Sequence, residues 1–253
     1  SKTAVTENYV RGGDVTYVIS AVNSGSTPLT GVSITDDLGG YTFGSGTLYP
    51  LAYVDGSVRV YVNGVLQTSS PTVVEGPPIV FSGLTVPASG NLMLIYEARV
   101  NQFAPLGADD SIVNTAGVTA SGITAPSTAS ATVTPDASGA LTITKSIDPV
   151  SVTENGTVTY TFIIQNYGSG AATAEDEVSV RDTFDPILSD ISVSLNETAL
   201  AVTEGYTYDQ ATGTFVTVPG VITVPAATFV QDTATGAWTV TPGVTRLTVT
   251  GTL

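Results

Sequence analysis

One strand-like segment occurs twice in this chain, and the repeat limits what the chain can be. Gly13-Asp14-Val15-Thr16-Tyr17 runs through five residues into Asn23-Ser24-Gly25, and Gly156-Thr157-Val158-Thr159-Tyr160 runs through the same gap into Asn166-Tyr167-Gly168. The offset of 143 from Gly13 to Gly156 also carries Lys2 onto Lys145, and these are the only two lysines among 253 residues. Such a unit is too long for a solenoid repeat, whose periods run to about 50 residues. It has the size of a domain, so the spacing predicts two domains of one design, 1–135 and 136–253, each large enough for its own core.

The copied segment has the period of a half-buried strand. Val15, Tyr17 and Ile19 alternate with Thr16, Val18 and Ser20, and Val158, Tyr160 and Phe162 alternate with Thr159, Thr161 and Ile163. The glycine before each copy and the Asn-x-Gly after it are turn signals. No window sustains a helical period, and 26 glycines, 14 prolines and 11% charged residues agree with an all-β chain.

Charge and residue usage exclude several functions. A net charge of −15 with seven basic residues leaves no Lys/Arg cluster for nucleic acid or an anionic membrane surface. No apolar run is long enough to span a membrane, and no signal peptide stands at Ser1; the missing initiator Met suggests that preceding residues were removed or left out. With no histidine and no cysteine there is no zinc site, no hydrolytic triad and no disulfide. An acidic, Thr-rich β protein of this kind is expected outside the cell, where any covalent brace must be something other than a disulfide.

In chain order, strands are expected at Lys2–Glu7, Asp14–Asn23, Val32–Thr35, Ser57–Val62 with Val65–Gln67, Ile79–Leu84, Leu92–Val100, Ser111–Ala120 and Ser127–Thr134. Asn63-Gly64 between two of these runs is a strong two-residue hairpin signal. Thr134 to Gly139 reads as a short polar linker. The second copy then repeats the plan, with Val178 to Asp182 matching Val32 to Asp36 at an offset of 146 (182 − 36). Aligning Leu247–Leu253 on Leu94–Val100 shows that the second copy ends where the first still has its closing segment, 101–134, to come. The second sandwich is therefore expected to lack a closing strand and to leave an open groove with unpaired backbone groups.

The order Lys, Gly-x-Val-Thr-Tyr, Asn-x-Gly, Val-x-Val-x-Asp, closing with Ile112-Val113-Asn114-Thr115-Ala116-Gly117-Val118-Thr119, resembles a tandem Ig-like conserved repeat of unknown function. That repeat occurs in bacterial and archaeal surface proteins and in spore-appendage proteins, and the resemblance covers both halves of the chain. It implies two tandem Ig-like Greek-key β-sandwich domains acting as a stalk or filament module on a cell or spore surface, not as an enzyme. It also implies an intramolecular Lys–Asn isopeptide bond, which related sandwiches often carry. The candidates in the first domain are Lys2, Asn114 and, as the acid, Asp36, with Glu97 as a rival acid. In such a sandwich the first and last strands run side by side, which would bring the lysine to the asparagine. Burial frees the amine, a protonated acid polarises the amide, and fixed geometry supplies the effective molarity. The ordinary alternative is a solvated Lys2, an Asn114 that satisfies backbone, and an Asp36 that caps a turn.

In the second copy Lys145 and Asp182 stand where Lys2 and Asp36 do, and no residue stands where Asn114 does. A strand from a neighbouring copy, most plausibly from residues preceding Ser1 in its precursor, would bring an asparagine beside Lys145 and join subunits head to tail. Two further readings stay open. One is a passive stalk fragment of a longer multi-repeat protein. The other is a carbohydrate- or receptor-binding adhesin using Trp238, Tyr206, Tyr208 and the Tyr41–Tyr53 loop. Asp36-Asp37, Asp55 and Asp109-Asp110 lack the spacing of a calcium loop, so no metal or cofactor is expected. Asn155-Gly156-Thr157 and Asn196-Glu197-Thr198 match the short glycosylation sequon.

Overall fold

The computed structural model describes residues 1–107, 109–123, 125–136 and 140–253. The Ala137-Ser138-Gly139 part of the expected linker lies outside them. The chain divides into two compact units, 1–136 with 230–239, and 137–229 with 240–253. The segment 230–239 lies within the second copy in sequence but belongs to unit 1.

The strands in the first copy are β1 (Lys2–Ala4), β2 (Asn8–Tyr9), β3 (Asp14–Asn23), β4 (Leu29–Asp36), β5 (Tyr41–Phe43), β6 (Gly46–Leu48), β7 (Leu51–Tyr53), β8 (Arg59–Val62), β9 (Val65–Leu66), β10 (Thr72–Val74), β11 (Ile79–Val86), β12 (Gly90–Val100), β13 (Ile112–Thr119) and β14 (Ser127–Pro135). Those in the second are β15 (Leu141–Asp148), β16 (Thr157–Asn166), β17 (Arg181–Thr183), β18 (Ser189–Leu195), β19 (Thr198–Ala199), β20 (Tyr206–Asp209), β21 (Thr214–Thr217), β22 (Thr228–Gln231), β23 (Trp238–Thr241) and β24 (Gly243–Thr252). The only helix among the described residues is a 3-10 turn at Ala174–Asp176. The chain is all-β, folded as two tandem Ig-like sandwiches.

In unit 1 one sheet runs β1-β3-β12-β8-β9, with β7 also on β12, and the other runs β10-β11-β4-β13-β14-β2. Strand alternation decides what faces the interior. Val15, Tyr17 and Ile19 on β3, Leu92, Leu94 and Tyr96 on β12, and Val32 and Ile34 on β4 are all buried. The β3–β12 pairing sets Tyr17 opposite Tyr96, and their rings stack with centroids 5.6 Å apart. Such a pair adds about 0.5–1.5 kcal/mol beyond the area that it buries. At the hairpin between β8 and β9, Asn63 and Gly64 have φ of 49° and 79°, the two positive values that a type I′ turn needs.

Unit 2 repeats the first sheet as β15-β16-β24-β18-β19. Among the described residues its facing sheet has β17, β21 and β20. The counterpart of β4 is β17, which pairs with β21 on one edge and, among the described residues, with no strand on the other. In unit 1 that other edge of β4 carries β13, and β14 follows. The second sandwich therefore lacks its closing strands. With one pairing edge, β17 is three residues long where β4 is eight.

Candidate functional site

Four polar side chains of unit 1 stand at inward positions of apolar strands. Lys2 on β1 pairs with Ile19 and so shares the inward face of β3. Asp36 continues the inward row Val32, Ile34 on β4, Tyr96 continues Leu92, Leu94 on β12, and Asn114 lies between buried Ile112 and Ala116 on β13. The β4–β13 register places Asp36 opposite Ala116, one pleat from Asn114. The period of two thus drives all four into the space between the sheets.

There they form one hydrogen-bonded cluster. Lys2 Nζ donates to Asp36 Oδ2 at 2.6 Å, the Tyr96 hydroxyl donates to the same oxygen at 2.7 Å, and Asn114 Nδ2 donates to the Tyr96 hydroxyl at 3.0 Å. The Lys2 and Asp36 side chains have 0% exposure, as do Tyr96 and Asn114 as residues. Lys2 Nζ also lies 4.7 Å from the centre of the Tyr17 ring. Burial pulls the Lys2 amine below the ordinary lysine value of 10.5, against the opposing pull of Asp36. Burial pushes the Tyr96 phenol well above 10.0, and the neighbouring Asp36 pushes it further.

Removing two charges from water costs several kcal/mol per ion, so a buried Lys–Asp pair is weak evidence for stability. What this arrangement does provide is an amine without solvent, an acceptor for its proton, and an amide carbon held by the same network. Asp36 also does the ordinary work considered for it, since its Oδ1 accepts from the Leu38 N–H at 3.1 Å in the turn after β4. Asp37 holds the neighbouring strand in place, with Oδ1 accepting from Gly39 at 2.9 Å and from Thr115 at 2.8 Å.

Two expectations about geometry are corrected. Lys2 and Asn114 do not lie on adjacent strands, because β1 belongs to one sheet and β13 to the other. They are linked across the interior through Asp36 and Tyr96. Glu97 lies outside the cluster, because one residue along β12 from Tyr96 is the opposite face, and Glu97 is exposed. Tyr96 itself went unnoticed in the sequence reading. Its signal was a hydroxyl at the third inward place of Leu92, Leu94, Tyr96.

In unit 2, Lys145 pairs with Phe162 on β16 and makes an ion pair with Asp182. Its Nζ lies 4.6 Å from the Tyr160 ring centre and 5.3 Å from that of Phe184. The Lys145 side chain is nevertheless 40% exposed and that of Asp182 19% exposed. Leu141, Ile143 and Ile147, which share the face of Lys145, are exposed too. In unit 1 the corresponding strand β1 packs against β14. Val249 pairs with Tyr160 as Tyr96 pairs with Tyr17, so the second copy has no counterpart of the Tyr96 hydroxyl.

The aromatic residues considered for ligand contact are placed as packing. Tyr206 is buried against Phe215, with ring centres 5.6 Å apart, and the Tyr208 hydroxyl is bonded to both backbone groups of Leu188. Trp238 is half-buried in unit 1, its backbone N–H donating to the Gln102 carbonyl at 3.0 Å. Among the described residues no group of acidic side chains is arranged to hold a metal ion. No helix among them is long and apolar enough to cross a membrane.

No protein-family model and no curated protein sequence matches the chain. Among solved structures it is similar to the group B streptococcus pilus 2b backbone protein, with 13% identity and a TM-score of 0.40 over 96% of this chain and 79% of that one. It is similar to the major pilin subunit of Bacillus cereus, with 14% identity and a TM-score of 0.40 over 70% and 61%. The collagen-binding subdomain of the Enterococcus faecalis surface protein ACE matches with 10% identity and a TM-score of 0.35, over 53% of this chain and 94% of that one.

Proposed function

We propose that this protein is a structural subunit of an extracellular filament at a cell or spore surface, with no turnover of substrates. The observation that carries the reading is the dry cluster of Lys2, Asp36 and Asn114. A surface lysine in a stalk would be solvated. This one is fully enclosed, neutralised by one carboxylate, and linked through one hydroxyl to an amide. The cluster suits an isopeptide bond between Lys2 and Asn114, with loss of ammonia. Fixed geometry of this kind is worth effective molarities of about 10⁵–10⁸ M, which the uncatalysed amide exchange lacks. The bond would tie the two sheets together, so that force on the sandwich meets a covalent link.

Unit 2 supports the assembly part of the reading. Lys145 and Asp182 reproduce half of the cluster on a face where Leu141, Ile143 and Ile147 are exposed at strand period. A strand from a second copy, carrying an asparagine at the position that Asn114 holds in unit 1, would cover these residues and pair with the outer edge of β17. The contact joins unlike surfaces, so it propagates head to tail without closing.

The test is the intact mass of the purified chain. It should fall short of the calculated mass by one ammonia, and Lys2→Ala or Asn114→Ala should restore the full value. A parent protein with the full calculated mass would overturn the bond.

A further inference from the structure

We propose that Tyr96 is the proton relay of the cross-linking reaction, passing a proton from Asp36 to the departing nitrogen of Asn114. The inference rests on the isopeptide reading above and adds to it a residue that the lysine, acid and asparagine alone do not require. Breaking the Cγ–Nδ2 bond of an amide needs a proton on the nitrogen, because an amide anion is far too basic to leave. All four side chains are enclosed, so the proton comes from within the cluster. Asp36 makes no hydrogen bond to Asn114. Asn114 Nδ2 donates to the Tyr96 hydroxyl, which in turn donates to Asp36 Oδ2, whereas the buried Tyr17 hydroxyl, also beside Asn114, makes no hydrogen bond to Asp36.

The steps balance. The Lys2 ammonium gives a proton to Asp36 Oδ2, 2.6 Å away, and the freed lone pair attacks Asn114 Cγ. The carbonyl π pair moves onto Oδ1, and Nζ carries the positive charge. Nδ2, no longer conjugated, now has a lone pair on the side where it had donated to Tyr96. The hydroxyl gives its proton to Nδ2 and takes the proton held by Asp36. The Cγ–Nδ2 pair leaves with nitrogen as ammonia, the carbonyl reforms, and Asp36 takes the second proton from Nζ. Of the two protons that Lys2 loses, one balances the proton gained by ammonia and the other stays on Asp36. No oxidant or second reactant enters.

A phenol suits this position because one oxygen both accepts and donates, and its ring is fixed by stacking on Tyr17 and by contact with Phe81, 5.4 Å between centres. Asp36 Oδ2 receives both Lys2 and Tyr96, so the proton arrives and departs at a single atom. Unit 2 has Val249 in this place, which predicts that a partner strand joining at Lys145 must bring its own proton donor.

The experiment follows bond formation in the full chain. The protein is made by cell-free translation, quenched in acid at intervals, and read by intact mass. The parent should lose one ammonia early, and Tyr96→Phe should form the same bond roughly 100-fold more slowly, the usual worth of a positioned general acid. Circular dichroism and protease resistance check that the variant folds. If it does not, 3-fluorotyrosine placed at position 96 keeps the ring and its hydrogen bonds but changes the acidity of the phenol. A relay then alters the rate, and a purely structural hydroxyl leaves it unchanged. A parent that cross-links alongside an equally fast Tyr96→Phe, or an unchanged fluorotyrosine rate, overturns the relay and leaves the bond standing. A parent that never loses ammonia overturns both.

Discussion

At the scale of residues, the informative feature is a charge enclosed where an apolar side chain would serve stability better. Asp36 carries three tasks, since it caps a turn with Oδ1, balances Lys2 with Oδ2 and accepts the Tyr96 hydrogen bond on the same oxygen. Asp36→Asn keeps the shape of the carboxylate but removes its charge and basicity. The variant is expected to show the full calculated mass. Unit 1 should also be less stable by roughly 3–5 kcal/mol, the cost of leaving one partner of a buried pair uncompensated. Urea unfolding of the variant against the parent measures this. A cross-linked Asp36→Asn would remove the acid from the mechanism. The buried phenols give a separate prediction. Burial holds Tyr9, Tyr17 and Tyr96 protonated above the ordinary value of 10.0. The unfolded chain releases those protons near pH 10 while the folded chain retains them. Their contribution to stability is therefore complete below pH 10 and is lost as pH rises past it. Ultraviolet titration should show these three among the 11 tyrosines ionising only as unit 1 unfolds. Titration of all 11 near pH 10 with the fold intact would contradict the burial argument.

At the scale of elements, strand alternation explains both what was expected and what was missed. It puts Lys2, Asp36, Tyr96 and Asn114 inside and Glu97 outside without reference to any reaction. The hairpin of β8 and β9 isolates a backbone effect. Gly64 has φ of 79° and open space around the place where a Cβ would stand, so a side chain there meets conformational strain and no clash. Gly64→Val should therefore cost unit 1 about 1–3 kcal/mol. Calorimetry should show one unfolding transition lowered and the other unmoved. Equal lowering of both would mean that the units do not unfold separately. The same element-level logic explains the short β17, which has a ladder on one edge where β4 has one on each.

At the scale of the whole molecule, two copies of one sandwich differ in whether the lysine is covered. In unit 1 the second sheet continues through β13 and β14, and Lys2 is enclosed. In unit 2 it does not continue, and Lys145 keeps the ring contacts and the carboxylate but reaches solvent. If the strand that completes unit 2 comes from another copy and brings an asparagine, filaments boiled in denaturant should persist as a ladder of covalent multimers. Lys145→Ala should then reduce the ladder to single chains while unit 1 stays folded and keeps its own bond. Filaments that dissociate on boiling would remove the intermolecular bond while leaving strand exchange to be read from their structure.

Much of this was legible in the sequence, because it depends on local pattern and on comparing the chain with itself. The period of two, the Asn63-Gly64 turn and the lysines on one repeat register follow from one-dimensional spacing. That Asp36 and not Glu97 belongs to the buried cluster was already favoured by the match of Asp36 to Asp182. Spacing could not say which sheet each strand joins, because strand order depends on pairings between residues far apart in the chain. The tertiary structure therefore decided that Lys2 and Asn114 stand in different sheets and are linked through Asp36 and Tyr96, and that segment 230–239 belongs with unit 1. It alone placed the Tyr96 hydroxyl between Asp36 and Asn114, since a hydrogen bond between side chains 60 residues apart leaves no trace in the spacing of either.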